Sequence, residues 1–227
     1  MSRTVWGIES PQTMSDISKR MGELALLGGA LCLDFVNTAG WRGQADSAGA
    51  LRDFEDLVAW TQHVGALSAR QGRDLLKRAA SERAHARTVH EQAVSLREAL
   101  YRVFSSLAAG RAAERADLAT INVAVADAYR HLRLAPSGAV FAWEWHEADG
   151  ALDLPIWMVA RSAADLLVSD ELARLRECAG EKCDWLFLDA SRNQSRRWCD
   201  MAACGNRAKA QRNYARRRGG AGKGREA

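Results

Sequence analysis

Apolar residues recur every three or four positions through much of this chain, which is the spacing of helices that bury one face. A helix is predicted over residues 53–64, ending before Gly65, and another follows a capping Ser68 and runs to about Ala80. The longest stripe predicts a helix over residues 82–109, with an apolar face formed by Val89, Ala93, Leu96, Leu100, Val103, Phe104 and Leu107.

Three more helices are predicted after this long one. The first covers residues 113–134, and the second covers residues 155–168 and opens at Pro155, whose missing N–H costs nothing in a first turn. Ser169 is expected to cap a short third helix over residues 170–176.

Two segments alternate between apolar and other residues, which predicts strands. The run LCLDFV at residues 31–36 places Leu31, Leu33 and Phe35 on one strand face. The run VFAWEW at residues 140–145 places Trp143 and Trp145 on one face, which is expected to be buried. A turn at residues 148–150 predicts a hairpin with the short run 151–154, and the strand at 31–36 is expected to join this hairpin.

The patterns together predict an α+β fold, mainly helical with a small antiparallel sheet, followed by a C-terminal module that contains four cysteines and ends in a basic helix. Residues 1–22 show little periodicity and are expected to be flexible, and residues 23–170 form the helical domain. The C-terminal module is assigned to residues 171–218, and residues 219–227 are expected to form a disordered tail.

Composition and charge distribution sharpen this picture. The 227 residues are 48% hydrophobic and 26% charged, which excludes a fibrous repeat and a wholly disordered chain. From residue 172 onward 14 Lys and Arg stand against 6 Asp and Glu, whereas residues 1–171 carry a net charge of −4. An acidic body joined to a basic segment favours an anionic partner such as nucleic acid.

Cysteine usage bears on the cellular compartment. Five cysteines are an odd number, which fits a reduced cytoplasmic protein better than a secreted disulfide scaffold. Cys32 lies in an apolar run and is expected to be buried, and the apolar stretch around it is too short for a membrane span. We therefore expect a cytoplasmic protein with no membrane association.

The other four cysteines form two closely spaced pairs. Four residues separate the members of each pair and fifteen lie between the pairs, which are Cys178 with Cys183 and Cys199 with Cys204. Two such pairs can converge on one tetrahedral ion, and Zn²⁺ favours four thiolates. An iron–sulfur cluster also accepts four cysteines, although its usual spacings differ, and two disulfides conflict with the expected compartment. Zn²⁺ is therefore the predicted cofactor, in a closed and structural site.

A basic helix is predicted directly after the last cysteine. At 100° per residue, Lys209, Arg212 and Arg216 lie within about 60° of one another on one face. These three are expected to contact phosphates, and the amides of Asn206 and Gln211 are candidates to read base edges. Arg207, on the opposite strip of the helix, is a further candidate for binding nucleic acid.

The residues around the last two cysteines, WCDMAACGNR at 198–207, closely resemble the CGNR zinc-finger family, and CDWLFLDASRN at 183–193 fits the same family. The earlier run LLGGALCLDFVNT at 26–38 is similar to the start of the ABATE domain, which commonly precedes that finger. The resemblance implies a bacterial transcription regulator linked to stress. It gives the ligand roles to Cys178, Cys183, Cys199 and Cys204 and makes the finger the DNA-binding element.

The chain shows none of the common catalytic motifs, so an enzyme is not expected. Asp34 and Asn37 follow the predicted strand and could bind a ligand, although tying down the adjoining loop is the favoured interpretation.

The leading hypothesis is a DNA-binding transcription regulator whose helical body senses a signal or dimerises. Duplex DNA is the expected partner, with a homodimer and a small-molecule effector as further candidates. The alternatives are an RNA-binding protein that uses the same finger, or a small-molecule or protein-binding module in which the zinc site only braces the C-terminus.

Overall fold

The computed structural model describes residues 14–39, 42, 49–146 and 150–221. Helices dominate this part of the chain, and two small antiparallel sheets accompany them. The helices are α1 (Met14–Gly22), α2 (Leu31–Val36), α3 (Phe54–His63), α4 (Ala69–Ser81), α5 (Arg83–Ala108), α6 (Arg115–Arg130), α7 (Leu154–Leu167) and α8 (Asn206–Ala221). The strands are β1 (Leu132–Ser137), β2 (Val140–Trp145), β3 (Leu175–Glu177) and β4 (Leu186–Leu188). The α+β prediction is therefore correct.

Local capping sets where two of the body helices begin. The Asp53 carboxylate accepts a hydrogen bond from the Asp56 amide at 2.8 Å and starts α3. Ser68 starts α4 as predicted, because its hydroxyl accepts from the Gln71 amide while the Gln71 side chain accepts from the Ser68 amide.

Helix α5 is the centre of the body. It packs against α2, α3, α4, α6 and α7, and also against β3 and β4 of the C-terminal module. Its predicted apolar stripe is buried except for Leu107, which is partly buried. The surrounding core includes Trp60 and Phe35, whose ring centroids lie 5.2 Å apart. Within the described residues, no helix combines the length and the apolarity needed to cross a membrane.

The predicted strand at residues 31–36 is wrong, because this run forms helix α2. In a strand Cys32 and Val36 would lie on the face opposite Leu33 and Phe35, yet all four residues are buried. A short helix wedged between α5, α7 and β4 can bury such a set, since each of its sides meets a neighbour. Gly29 leads into it at a φ of 81°, a conformation that favours glycine.

The hairpin uses a different partner strand from the one predicted. Strand β2 pairs with β1 through a turn at Gly138, so α6 ends at Arg130 instead of continuing to residue 134. The expected partner run 151–154 leads into α7, which carries Pro155 in its first turn. Of the predicted turn 148–150, residues 148 and 149 lie outside the described residues.

The expected burial of the tryptophan face is wrong for the outer part of the hairpin. Trp145 stacks on Trp157 of α7 with a centroid distance of 6.2 Å, whereas Trp143 is 47% exposed and Phe141 is 72% exposed. The pairing of β1 with β2 satisfies the backbone without a third strand, and the apolar contact with α7 is made at Trp145, so the outer residues of β2 remain exposed.

Two ends of the helical body also differ from expectation. Within the segment expected to be flexible, residues 14–22 form α1, which packs on α3 through the buried side chains of Ile17 and Met21. Arg20 of α1 pairs with the buried Asp56 carboxylate. The short helix predicted at residues 170–176 is a 3-10 helix over Asp170–Arg174 that continues directly into β3.

The C-terminal module joins the body through backbone hydrogen bonds to β4. The Asn37 side chain donates to the Leu186 carbonyl at 2.8 Å and accepts from the Leu186 amide at 2.9 Å, as a neighbouring strand would. The Leu188 amide donates to the Gly28 carbonyl at 2.9 Å. A Cβ atom on Gly28 would lie 2.8 Å from the Asp34 amide nitrogen, so the close approach of this loop requires glycine.

Charged side chains complete the junction. The Arg42 amide donates to Asp184 at 2.8 Å, and its guanidinium donates to Glu98 at 2.9 Å while stacking 3.8 Å from the Tyr101 ring centroid. Glu177 of β3 accepts from the Ser105 hydroxyl of α5 at 2.7 Å. The body therefore holds the module at both β3 and β4.

We expect Asn37→Ala to lower the free energy of unfolding by about 2–4 kcal/mol, because two buried backbone groups of Leu186 would lose their partner. Asn37→Asp is expected to cost a similar amount, since its carboxylate would face the Leu186 carbonyl. Urea denaturation of the zinc-loaded chain measures both, with the exposed Asn193→Ala as the control. A cost for Asn37→Ala below about 0.5 kcal/mol would contradict this role.

Candidate metal centre and nucleic-acid interface

Four cysteines meet in the C-terminal module, two from the turn between its strands and two from the start of its helix. Cys178 directly follows β3, and Cys183 lies in the turn that leads to β4. Cys199 ends the long loop after β4, and Cys204 lies in the π-helical turn Met201–Gly205 that opens α8. The spacing of the two pairs thus reflects two turns, one between the strands and one at the start of the helix.

The distances between the sulfur atoms fit one tetrahedral ion. All four Sγ atoms lie within 4.8 Å of one another, and Cys199 Sγ is 3.7 Å from both Cys183 Sγ and Cys204 Sγ. Four thiolates at about 2.3 Å from a Zn²⁺ ion would be about 3.8 Å apart. A disulfide would need about 2.05 Å, and all five cysteines are free thiols. The geometry therefore fits a shared metal ion and excludes the two disulfides.

Backbone contacts orient the sulfur ligands. The Cys199 amide points at Cys178 Sγ from 3.4 Å, and the Cys183 amide donates to the Gly180 carbonyl at 3.1 Å to close the first turn. A Cβ atom on Gly180 would lie 3.4 Å from Cys204 Sγ and 3.5 Å from Cys178 Sγ. Glycine at this position leaves room for the sulfurs to converge.

The protonation of the cluster shows why it needs a cation. The S–H group of Cys183 stabilises the Cys178 thiolate and lowers the pKa of Cys178, while the same contact raises the pKa of Cys183. The pKa of Cys199 is also raised, first by its contact with Cys178. Without a cation the thiols cannot all ionise together, and a bound dication removes this restriction.

Asp189 and Arg196, which are not among the site residues predicted from the sequence, brace the loop between β4 and Cys199. The buried Asp189 carboxylate accepts from the Ser191 amide at 2.9 Å and from the Arg196 amide at 2.8 Å. The Ser191 hydroxyl and these amides hold the pKa of Asp189 below its usual value. The Arg196 guanidinium stacks 4.6 Å from the Phe187 ring centroid and donates to the carbonyls of Trp198 and Cys199.

This brace had only a weak signal in the sequence. An aspartate followed by a serine two positions later is typical of a side-chain turn. Nothing in the pattern, however, indicates that Arg196 folds back over Phe187.

Helix α8 starts at the metal centre. Asp200 accepts from the Ala202 amide at 2.9 Å and caps the π-helical turn, in which Cys204 is buried. The chain then continues without a break into α8. The first amides of a helix favour nearby negative charge, so this end of α8 stabilises the Cys204 thiolate.

The predicted nucleic-acid contacts all fall on α8. Arg207, Lys209 and Arg212 are exposed, and Arg216 is part of the helix although its side chain lies outside the described residues. The two base-reading candidates bond within the chain: Asn206 donates to the Ala202 carbonyl at 3.0 Å, and Gln211 donates to Glu181. The structure therefore presents the basic side chains directly, whereas each amide must exchange a hydrogen bond to reach a base.

The candidate ligand residues of the body have structural partners. Asp34 accepts from the Gly28 amide at 2.8 Å, and burial raises the pKa of the Asp34 carboxyl. Asn37 is buried against Leu186 in the junction. Both residues tie the loop and the module to the body in this structure.

Comparison with known families agrees with this architecture. Residues 29–170 match the ABATE family, which is described as "Putative stress-induced transcription regulator", and residues 174–217 match the CGNR zinc finger. Because the first match covers more than half of the 227 residues, the chain belongs to the ABATE family. No curated protein matches the chain. Neither family is an enzyme family, and the finger identifies the ion of the four-cysteine centre as zinc.

We expect one zinc ion per chain, and Cys204→Ser to weaken zinc binding by about 100-fold or more, because a hydroxyl is a poor replacement for a thiolate ligand. Competition with a chromophoric chelator measures the affinity, and elemental analysis measures the stoichiometry.

Cys32→Ala is the matched control, since Cys32 is buried in the body and burial raises its pKa to about 12. It is expected to leave zinc binding unchanged. Equal affinity in Cys204→Ser and the unmodified chain would contradict the assignment.

Proposed function

We propose that this member of the ABATE family, which carries a CGNR zinc finger, is a transcription regulator that binds duplex DNA through α8. The observation that carries the proposal is the placement of the helix. The π-helical turn that opens α8 contributes Cys204 to the zinc centre, and the basic side chains that follow are exposed. The zinc site thereby fixes the position of the N-terminal end of a cationic helix.

The charge distribution supports a phosphate-rich partner. Residues 191–227 hold 11 Lys and Arg against 2 Asp and Glu, whereas residues 1–171 carry a net charge of −4. Cations that replace condensed counterions on DNA gain free energy through counterion release. A duplex is therefore attracted to the finger and repelled by the body, which orients the encounter.

Within α8, Lys209 and Arg212 would contact phosphates, and Arg216 is assigned to the same role from its position on the face of Lys209. Arg207 would be a further nucleic-acid contact from the opposite strip. Gln211 would read a base edge after releasing Glu181, and Asn206 would do so after releasing the Ala202 carbonyl. In this scheme the phosphate contacts form before the base contacts, because the basic side chains are already exposed whereas the two amides must first release their partners within the chain.

The helical body would sense a signal or form a homodimer, in line with the description of the ABATE family as a stress-induced regulator. A dimer would present two α8 helices to a two-fold symmetric site. Five free thiols fit a reduced cytoplasmic setting.

RNA is the second candidate partner, and one observation favours it. Tyr214 is 62% exposed on α8, on the strip that also carries Arg207. An exposed aromatic ring beside basic side chains can stack on an unpaired base, which is a common mode of single-strand recognition.

The remaining alternative is that the finger binds no nucleic acid and only braces the C-terminal segment. The contacts that hold β3 and β4 against the body are compatible with this role.

The combined variant Lys209→Ala, Arg212→Ala and Arg216→Ala is expected to weaken duplex binding and to reduce the slope of log affinity against log salt by about three units. Each lost phosphate contact accounts for about one unit of that slope. Fluorescence anisotropy with a duplex selected from a random pool, repeated at several salt concentrations, measures both quantities.

The control removes the same charge from the body with Arg70→Ala, Arg73→Ala and Lys77→Ala, all exposed on α4. An unchanged slope in the α8 variant, or an equal change in the control, would show that α8 is not the docking face. If structured RNA displaces the duplex at equal salt, RNA becomes the preferred partner. Failure to bind either nucleic acid would leave the bracing role.

A further inference from the structure

A cleft of about 530 Å³ lies between α5, α6 and α7 of the body. None of the residues that line it belongs to the C-terminal module, so it is separate from the zinc centre and from α8. Its volume is in the range of sites that hold small organic molecules. The lining combines an apolar floor with a few polar groups, which is the usual composition of such sites.

The apolar floor of the cleft is held rigidly. Trp157 stacks on His131 with a centroid distance of 3.9 Å and on Trp145 at 6.2 Å, and its indole N–H donates to Asp127 at 2.7 Å. Leu96 and Ile156 are buried beside it, while Val123 of α6 is 73% exposed at the rim. An apolar ligand group placed here would cover Val123 without displacing a core side chain.

The charged groups of the cleft are mainly acidic. Asp127 and Asp153 both line it, and among the described lining residues Arg130 is the one cation. Arg130 is already paired with Asp127, at 2.9 Å. Asp153 faces His85 Nε2 at 3.2 Å, and burial together with the nearby negative charge of Asp127 raises its pKa above the usual value, although His85 opposes this rise. An added positive charge would therefore be favoured, and an added anion would face Asp153.

We propose that this cleft binds a small organic cation, whose ammonium group pairs with Asp153 and whose apolar part packs between Val123, Ile156 and Trp157. Gln92, Ser95 and Thr120 line the cleft and offer further hydrogen bonds to such a ligand. This binding does not depend on DNA binding by α8, so either proposal can fail while the other holds.

Matched probes test the charge preference on the full zinc-loaded chain. Phenethylamine, 2-phenylethanol and 3-phenylpropionate share one apolar skeleton and differ in charge, and hexylamine tests an aliphatic cation. We expect at least one of the two amines to bind saturably and about tenfold or more tighter than the alcohol and the carboxylate, since a charge-assisted hydrogen bond is roughly twice as strong as a neutral one. Isothermal titration calorimetry measures the affinities.

Two variants locate the site. Asp153→Asn keeps the size of the side chain, which makes no capping hydrogen bond to α7, and is expected to weaken amine binding about tenfold. Asp165→Asn on α7 is the control, because its side chain is 59% exposed and Asp165 does not line the cleft.

Val123→Lys is expected to abolish amine binding, because it places an ammonium group of the chain itself at the rim. Val168→Lys is its control, since Val168 is 87% exposed and lies outside the cleft. Both valines are exposed, so neither change removes a core side chain.

Saturable amine binding that Asp153→Asn and Val123→Lys weaken, and that both controls leave intact, supports the proposal. Three results would overturn it: no saturable binding of either amine up to about 10 mM, equal affinity for the carboxylate or the alcohol, or equal losses in Val123→Lys and Val168→Lys.

Discussion

The mutual approach of four sulfur atoms is the constraint on which the C-terminal module depends. Four Sγ atoms within 4.8 Å cannot all be thiolates without a cation, and they cannot separate without undoing the turn between β3 and β4 or the π-helical turn that opens α8. The apolar cluster around the sulfurs is small, consisting of Phe187 with three of the cysteines, because Leu175, Leu186 and Leu188 of the module are buried in the core of the body instead. Zinc coordination therefore stabilises this part of the module, as apolar packing stabilises the body. It also fixes the position of the first residues of α8.

A second constraint links this module to the body. The Asn37 amide pairs with the backbone of β4 as a strand would, and Arg42 bridges Glu98 and Asp184. These contacts place the basic helix on the same folded unit as the acidic body. Helix α5 packs against both β3 and β4 and so connects the core of the body with the finger.

Some parts of the candidate site could be predicted from the sequence and others could not. The four ligands could be predicted because thiolates that share an ion must come in closely spaced pairs, and the charge of α8 could be read directly from its residues. The loop brace of Asp189 and Arg196 could not, since it depends on a side chain folding back over Phe187. The hydrogen bonds that occupy Asn206 and Gln211 also depend on neighbours that the spacing does not reveal.

The sequence by itself determined the helical character of the body, the capping of α4 by Ser68, the stripe of α5 and the convergence of four cysteines, because each of these depends on residues close together in the chain. Tertiary structure decided the rest. The run at residues 31–36 alternates like a strand but is a helix, since α5, α7 and β4 surround it and bury both of its faces. Residues 151–154 do not pair with β2, because they lead into α7, whose Trp157 packs on Trp145, and β2 pairs with β1 through the turn at Gly138.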